Sequence, residues 1–211
     1  MDKIKFSQKE NFSFEDLREL VRFLRSPEGC PWDREQSHES IRNHFVEEAY
    51  EVCEGIDKKD NDLLKEELGD MLFQVLFHIN LAEEAENFTL EEVLSGICKK
   101  MIFRHPFLFD PDSERPTDQI QQWETLKQKE KGESTLFDSL ARISTSLPAL
   151  KRAEKFSKKG ADSRDILTFS VLEKEGEKLY KIAENCQKNG LDPEEALNAY
   201  LSRILDKINK K

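Results

Sequence analysis

The stretch FVEEAYEVCEGIDKKDNDLLKEELGDMLFQ, Phe45 to Gln74, decides how this chain folds. It holds a carboxylate pair Glu48/Glu51, a short polar break, and a second pair Glu67/Asp70. Within each pair the i,i+3 spacing puts both side chains on one face of a helix. At about 100° per residue, Ile41, Phe45, Ala49, Val52 and Ile56 fall on one apolar arc. Glu48 and Glu51 lie on the flank of that arc, with His44 and Glu47 beside them. In the next helix Leu64, Leu68, Met71, Val75 and Ile79 form the apolar stripe, edged by Glu67, Asp70 and Gln74. The break Asp57-Lys58-Lys59-Asp60-Asn61 is rich in turn and N-cap residues, which predicts helices over 39–56 and 62–85 folded back antiparallel.

Four carboxylates then meet beside the core. Bare carboxylates so placed repel one another and lose hydration, and a hard divalent cation relieves both costs. Oxygen-only ligands without Cys or paired His favour Mg²⁺ or Mn²⁺ over zinc. A single EXXE is ordinarily a solvated helix face. Two pairs on adjacent helices, both bordering apolar stripes, turn the reading toward a metal site.

The 211 residues suffice for a sizeable core and for one or two domains. Asp and Glu number 43 against 33 Lys and Arg, a net charge of −10. That balance argues against nonspecific nucleic-acid binding or a membrane-surface role. It leaves an anionic substrate open, because a bound metal inverts the local field. With only 8 Gly and 7 Pro and with 3.6-residue periodicity prevailing, the class is all-α. Cys30, Cys53, Cys98 and Cys186 show no CxxC spacing and read as buried thiols in a reducing compartment. MDKIKFSQKE has no apolar signal core, and no run approaches a membrane span, so a soluble, cytoplasmic protein is expected.

Ser13 and Asp16 open a first helix with a capping-box start, followed by the stripe Phe14, Leu17, Leu20, Val21, Leu24. The segment from Ser26 to His38 reads as a loop. Trp32 within it is either a stacking platform for a base or a side chain folded back onto the core. Leu72, Phe73, Leu76 and Phe77 add a further apolar face to the second acidic helix, from which a homodimer packing on that face is inferred. Thr89 and Glu92 cap a helix ending at His105-Pro106. Its Lys100 and Arg104, at i,i+4, either favour the helix dipole or hold phosphate oxygens.

Three divisions are expected: a four-helix-bundle-like catalytic module over 1–105, a connector with a Trp123-bearing helix over 106–134, and a shortened repeat over 135–211. In that repeat Leu172 to Tyr180 aligns with Lys65 to Phe73, so Lys174 and Glu177 stand where Glu67 and Asp70 stood. Leu191 to Leu197 aligns with Phe88 to Leu94, and Arg203/Lys207 with Lys100/Arg104. A cation at a ligand position abolishes metal binding, so the tail reads as non-catalytic.

Gly29-Cys30-Pro31-Trp32-Asp33-x-x-Gln36, Glu47-Glu48-x-x-Glu51, Glu67-Leu68-Gly69-Asp70, Arg104-His105-Pro106 and Trp123-Glu124-x-x-Lys127 together resemble the MazG family of nucleoside triphosphate pyrophosphohydrolases. Ser146 to Leu150 is similar to the start of the second repeat in two-repeat members, but most of that repeat's acidic helix pair is missing. The resemblance implies an all-α, usually dimeric, Mg²⁺-dependent enzyme that converts an NTP to NMP and pyrophosphate. It implies Glu48, Glu51, Glu67 and Asp70 as metal ligands and Lys100 and Arg104 near the phosphates. Glu47 becomes the candidate base and Trp32 a candidate base contact. Two rivals remain. A di-iron bundle needs paired Glu-x-x-His motifs, and only Glu35/His38 occurs, with His44 and His78 single. A non-catalytic assembly or regulatory module would leave the acidic cluster idle.

Overall fold

Two helices joined by a two-residue turn set the frame. In the computed structural model, which describes residues 6–160 and 171–200, every regular element among those residues is helical. In chain order these are α1 (Phe14–Leu24), α2 (Pro31–Glu35), α3 (Arg42–Lys58), α4 (Asn61–Glu84) and α5 (Leu90–Arg104). There follow α6 (Pro106–Phe109), α7 (Gln119–Lys131), α8 (Leu136–Ala141), α9 (Ala149–Lys158) and α10 (Val171–Lys188). The chain divides into two units, Met1–Ile102 and Phe103–Lys211.

In the first unit the expected antiparallel pair is α3 and α4. Helix α3 stops at Lys59, which is left-handed with φ 55°, and the Asp60 side chain accepts from the N–H groups of Asp62 and Leu63 to start α4. At this end Gly55 is buried, and a Cβ added to it would stand 2.9 Å from the Leu64 backbone nitrogen. Only a bare Cα lets the backbones come this close. The Ser13/Asp16 box caps α1 as expected, and Thr89 and Glu92 cap α5 in the same way.

The core lies toward the C-terminal half of α4, where Leu76, Phe77, Ile79 and Leu81 meet Val21 of α1, Ile41 and Leu90. This alters one expectation. Leu76 and Phe77 are each 2% exposed, buried within the chain beside Leu17 and Val21 of α1, so they are no dimer face. The exposed apolar side chains sit nearer the hairpin turn instead. They include Val46, Tyr50 and Ile56 on α3 and Leu68 and Leu72 on α4.

Arginines tie α1 to α4. Arg18 reaches Glu83 at 3.1 Å and Glu91 at 3.0 Å, and Arg22 reaches Glu83 at 2.7 Å. Arg25 pairs with Glu84 at 2.7 Å, lies over the Phe77 ring, and donates to the backbone carbonyls of Asp33 and Gln36. One buried guanidinium thus pins the Trp32 segment onto α4. That segment is the short helix α2 rather than a plain loop, because Pro31 at its first turn presets the helical φ. Trp32 is 56% exposed and does not fold back onto the core. His78 is not single either: its Nδ1 lies 2.8 Å from Nδ1 of His38, with the rings stacked. The four cysteines are unpaired, as expected, but none is buried; Cys53 and Cys98 face solvent.

In the second unit, Arg104 stacks on Trp123 and its Nε donates to Glu130 at 2.8 Å, while His105 meets the same indole edge-on. The Arg-His-Pro and Trp-Glu-x-x-Lys motifs are therefore one packing cluster. Helices α9 and α10 pack as a second pair. On α10 the Glu177 carboxylate is neutralised by Lys181 at 2.6 Å, and Lys174 is exposed. Arg203 and Lys207 lie outside the described residues.

Gly55→Ala is expected to destabilise the protein by about 1–3 kcal/mol, the usual range for overpacking, read as a lower urea midpoint. An unchanged midpoint contradicts the close helix approach.

Candidate functional site

The i,i+3 pairs of α3 and α4 meet across the packed hairpin, although Ile56 and Leu68 of the expected apolar arcs are exposed and Glu67 is buried in their stead. One carboxylate oxygen from each of Glu48, Glu67 and Asp70 lies within 4.8 Å of the others. Glu51 is not one of that group, but its charge bears on both Glu48 and Glu67. Glu67 is buried, Glu48 and Glu51 are half-buried, and Asp70 is exposed. Three of the four residues named from the sequence are thus brought within 4.8 Å of one another, and Glu51 stands outside that group.

The electrostatics are uncompensated. Among the described residues no Lys, Arg or His comes within 4 Å of these four carboxylates to form an ion pair, whereas Glu83, Glu84, Glu130 and Glu133 are all paired. Glu48 is pushed above the ordinary glutamate range, first by burial and then by the charge of Asp70. Burial also raises Glu67, followed by the charges of Glu51 and Asp70. A helix pair that crowds four oxygen donors and supplies no cation fits a hard divalent ion. No histidine or cysteine belongs to the cluster, and the paired Glu-x-x-His arrangement of a di-iron bundle is missing from it.

None of the remaining candidates belongs to that group. Glu47, with its side chain 65% exposed, lies 3.7 Å from Nδ1 of His44. Lys100 is half-buried and makes no ion pair among the described residues. Arg104 is buried and committed to Glu130 and Trp123. Two contributors were missed from the sequence. Gly55 sets the helix separation, and a glycine inside a helical pattern was the available signal. Arg25 fixes the Trp32 segment through long-range carbonyl contacts, which no local pattern announces.

Residues 36–109 match the model of the MazG nucleotide pyrophosphohydrolase domain, a span that includes both carboxylate pairs. A Thermotoga maritima protein named nucleoside triphosphate pyrophosphohydrolase/pyrophosphatase MazG is 36% identical, over 93% of this chain and 84% of its own length. An Escherichia coli K12 protein named nucleoside triphosphate pyrophosphohydrolase is 39% identical over 69% of this chain, which spans 56% of that relative. A solved structure titled mazG-related protein from Thermotoga maritima is 30% identical, covering 54% of this chain and 98% of its own, with a TM-score of 0.46.

Replacing Glu67 by Gln is expected to raise the melting temperature of the metal-free protein at neutral pH. The raised carboxyl penalises folding once it ionises, so the gain is present above its folded value and vanishes below about 4.5, where both forms are neutral. Melting curves of both proteins in EDTA between pH 4 and 8 (a range of about four units) check this. A Glu67→Gln protein that melts lower at neutral pH contradicts the crowding.

Proposed function

From its place in the MazG nucleotide pyrophosphohydrolase family, to which this chain belongs, we propose that it hydrolyses a nucleoside triphosphate to the monophosphate and pyrophosphate. The observation that supports this most is the convergence of Glu48, Glu67 and Asp70, with the charge of Glu51 acting on the two glutamates and no cation paired to any of the four among the described residues. These four residues would hold Mg²⁺, with Mn²⁺ able to replace it. Bound there, the ion would neutralise phosphate charge and lower the pKa of an attacking water.

The chain's own residues divide the remaining work. Glu67, buried on α4, and Glu48, half-buried on α3, sit on a hairpin whose separation Gly55 sets, and so present their carboxylates from fixed backbones. Glu47, on the same helix as Glu48 but outside the cluster, is our candidate to take the proton from water. Lys100, without an ion-pair partner among the described residues, is assigned to phosphate oxygens. The same assignment for Arg104 rests on the family resemblance, since its guanidinium is held by Glu130 and Trp123. Trp32, more than half exposed on α2, is offered as a surface on which a base can stack. The solvent-facing apolar residues of the hairpin, Tyr50 and Leu68 among them, support self-association, and we place the working enzyme as a cytoplasmic homodimer. Among the described residues no helix is long and apolar enough to cross a membrane.

Incubation with mixed NTPs and Mg²⁺ is expected to release monophosphate and pyrophosphate in equal amounts. Glu48→Ala, Glu67→Ala and Asp70→Ala should each lower turnover by about 10³-fold or more with helix content retained. Glu177→Ala should leave turnover unchanged. Wild-type protein that releases no pyrophosphate, or as little as the Glu67→Ala variant, would favour a non-catalytic module.

A further inference from the structure

The second unit carries the opposite electrostatic pattern. A cavity of about 970 Å³ is bounded by α7, α8, α9 and the segments beside them, a size typical of small-molecule sites. Its walls hold Lys127, Lys131, Arg142, Lys155, Lys158 and Lys159 against only two carboxylates, Glu124 and Glu133, in a chain whose net charge is −10. Cations gathered on one concave surface of an acidic protein need a reason, because they repel one another as the carboxylates of the first unit do.

The local contacts show how they are held. The Glu133 side chain is 5% accessible and accepts a hydrogen bond from the Ser139 hydroxyl at 2.6 Å. That bond, followed by the charge of Lys159, keeps its carboxyl below the ordinary glutamate range. As a fixed anion it draws Lys159 to 3.5 Å and Arg142 to 3.8 Å, and Arg142 also donates to the Lys131 carbonyl. Lys127 and Lys158 are partly offset by Glu124 and Glu154. Lys131 and Lys155 have no ion-pair partner within 4 Å among the described residues. The wall also offers Ile120, which is 80% exposed, and Leu136, which is 46% exposed. A cationic floor beside exposed apolar side chains suits a ligand with clustered phosphates and a less polar body.

We propose that this cavity is a binding site for condensed phosphates, held principally by Lys131 and Lys155 with Arg142 and Lys159 in support. Pyrophosphate and the polyphosphate chain of a nucleotide share that chemistry. The site needs no divalent ion and does not depend on the activity proposed for the first unit.

Isothermal titration of the full chain in EDTA, with sodium pyrophosphate, ATP and sodium sulfate as separate titrants, tests this. EDTA removes the metal that the carboxylate site would need, so failure here and failure of hydrolysis are separable. Pyrophosphate is expected to bind, more weakly as NaCl rises. The Lys131→Ala/Lys155→Ala protein should lose about tenfold or more in affinity, as expected when two charge-assisted contacts are removed. Lys131→Arg/Lys155→Arg should retain binding, and Glu67→Gln should bind like the wild type. Tighter binding of ATP than pyrophosphate would identify a nucleotide as the ligand; equal binding would identify the inorganic ion. The proposal is overturned if the wild type binds no pyrophosphate, if the double alanine variant binds it equally, or if sulfate binds as tightly.

Discussion

Like charges crowded at the edge of a hydrophobic seam do not stay together unless the seam holds them. In α3 and α4 the seam wins: Gly55 lets the backbones approach at one end, and Leu76, Phe77 and Ile79 lock α4 into the core at the other. The helix backbones that carry Glu48, Glu51, Glu67 and Asp70 cannot separate without breaking that packing. Burial first, and the neighbouring carboxylate charges after it, raise the carboxyls of Glu48 and Glu67. A protein at neutral pH that spends stability in this way is prepared for a counter-charge it does not itself contain.

The contrast with the rest of the N-terminal unit sharpens this. Arg18, Arg22 and Arg25 on α1 all engage acidic partners at the far end of α4, and Arg25 extends its hold to the backbone of the Trp32 segment. Cations are thus available on neighbouring helices, yet none pairs with the four clustered carboxylates among the described residues. Charge compensation is organised by position: arginine satisfies the carboxylates at the far end of α4 and leaves those of the hairpin without a cation. At the cavity beside α7 and α9 in the second unit the balance is reversed, with six cations against two carboxylates and Lys131 and Lys155 unpaired among the described residues.

The hairpin and its acidic edge were legible in the sequence because both follow from local rules: i,i+3 spacing, a 3.6-residue apolar period, and N-cap residues in the break. Ser13/Asp16 and Thr89/Glu92 were legible for the same reason, since a capping box spans only four residues. What escaped depended on distant partners. Periodicity showed that Leu76 and Phe77 were buried but not that α1, rather than a second copy, would cover them. Trp32 is exposed, and the face of Phe77 is covered by Arg25, a partner distant in sequence that no local pattern announces. His78 looked solitary because its partner His38 is 40 residues earlier. The lysines of the second unit read as ordinary solvated charges until α7, α8 and α9 brought them around one cavity.

The binding of Mn²⁺ is the decisive quantity, and the resonance signal of the free ion measures it directly. Titrating Mn²⁺ into metal-free protein at neutral pH should suppress that signal until the cluster is filled, and Glu67→Gln should abolish the suppression. A full free-ion signal from the first addition, or equal suppression by the variant, would show that the clustered carboxylates of α3 and α4 are not a metal site.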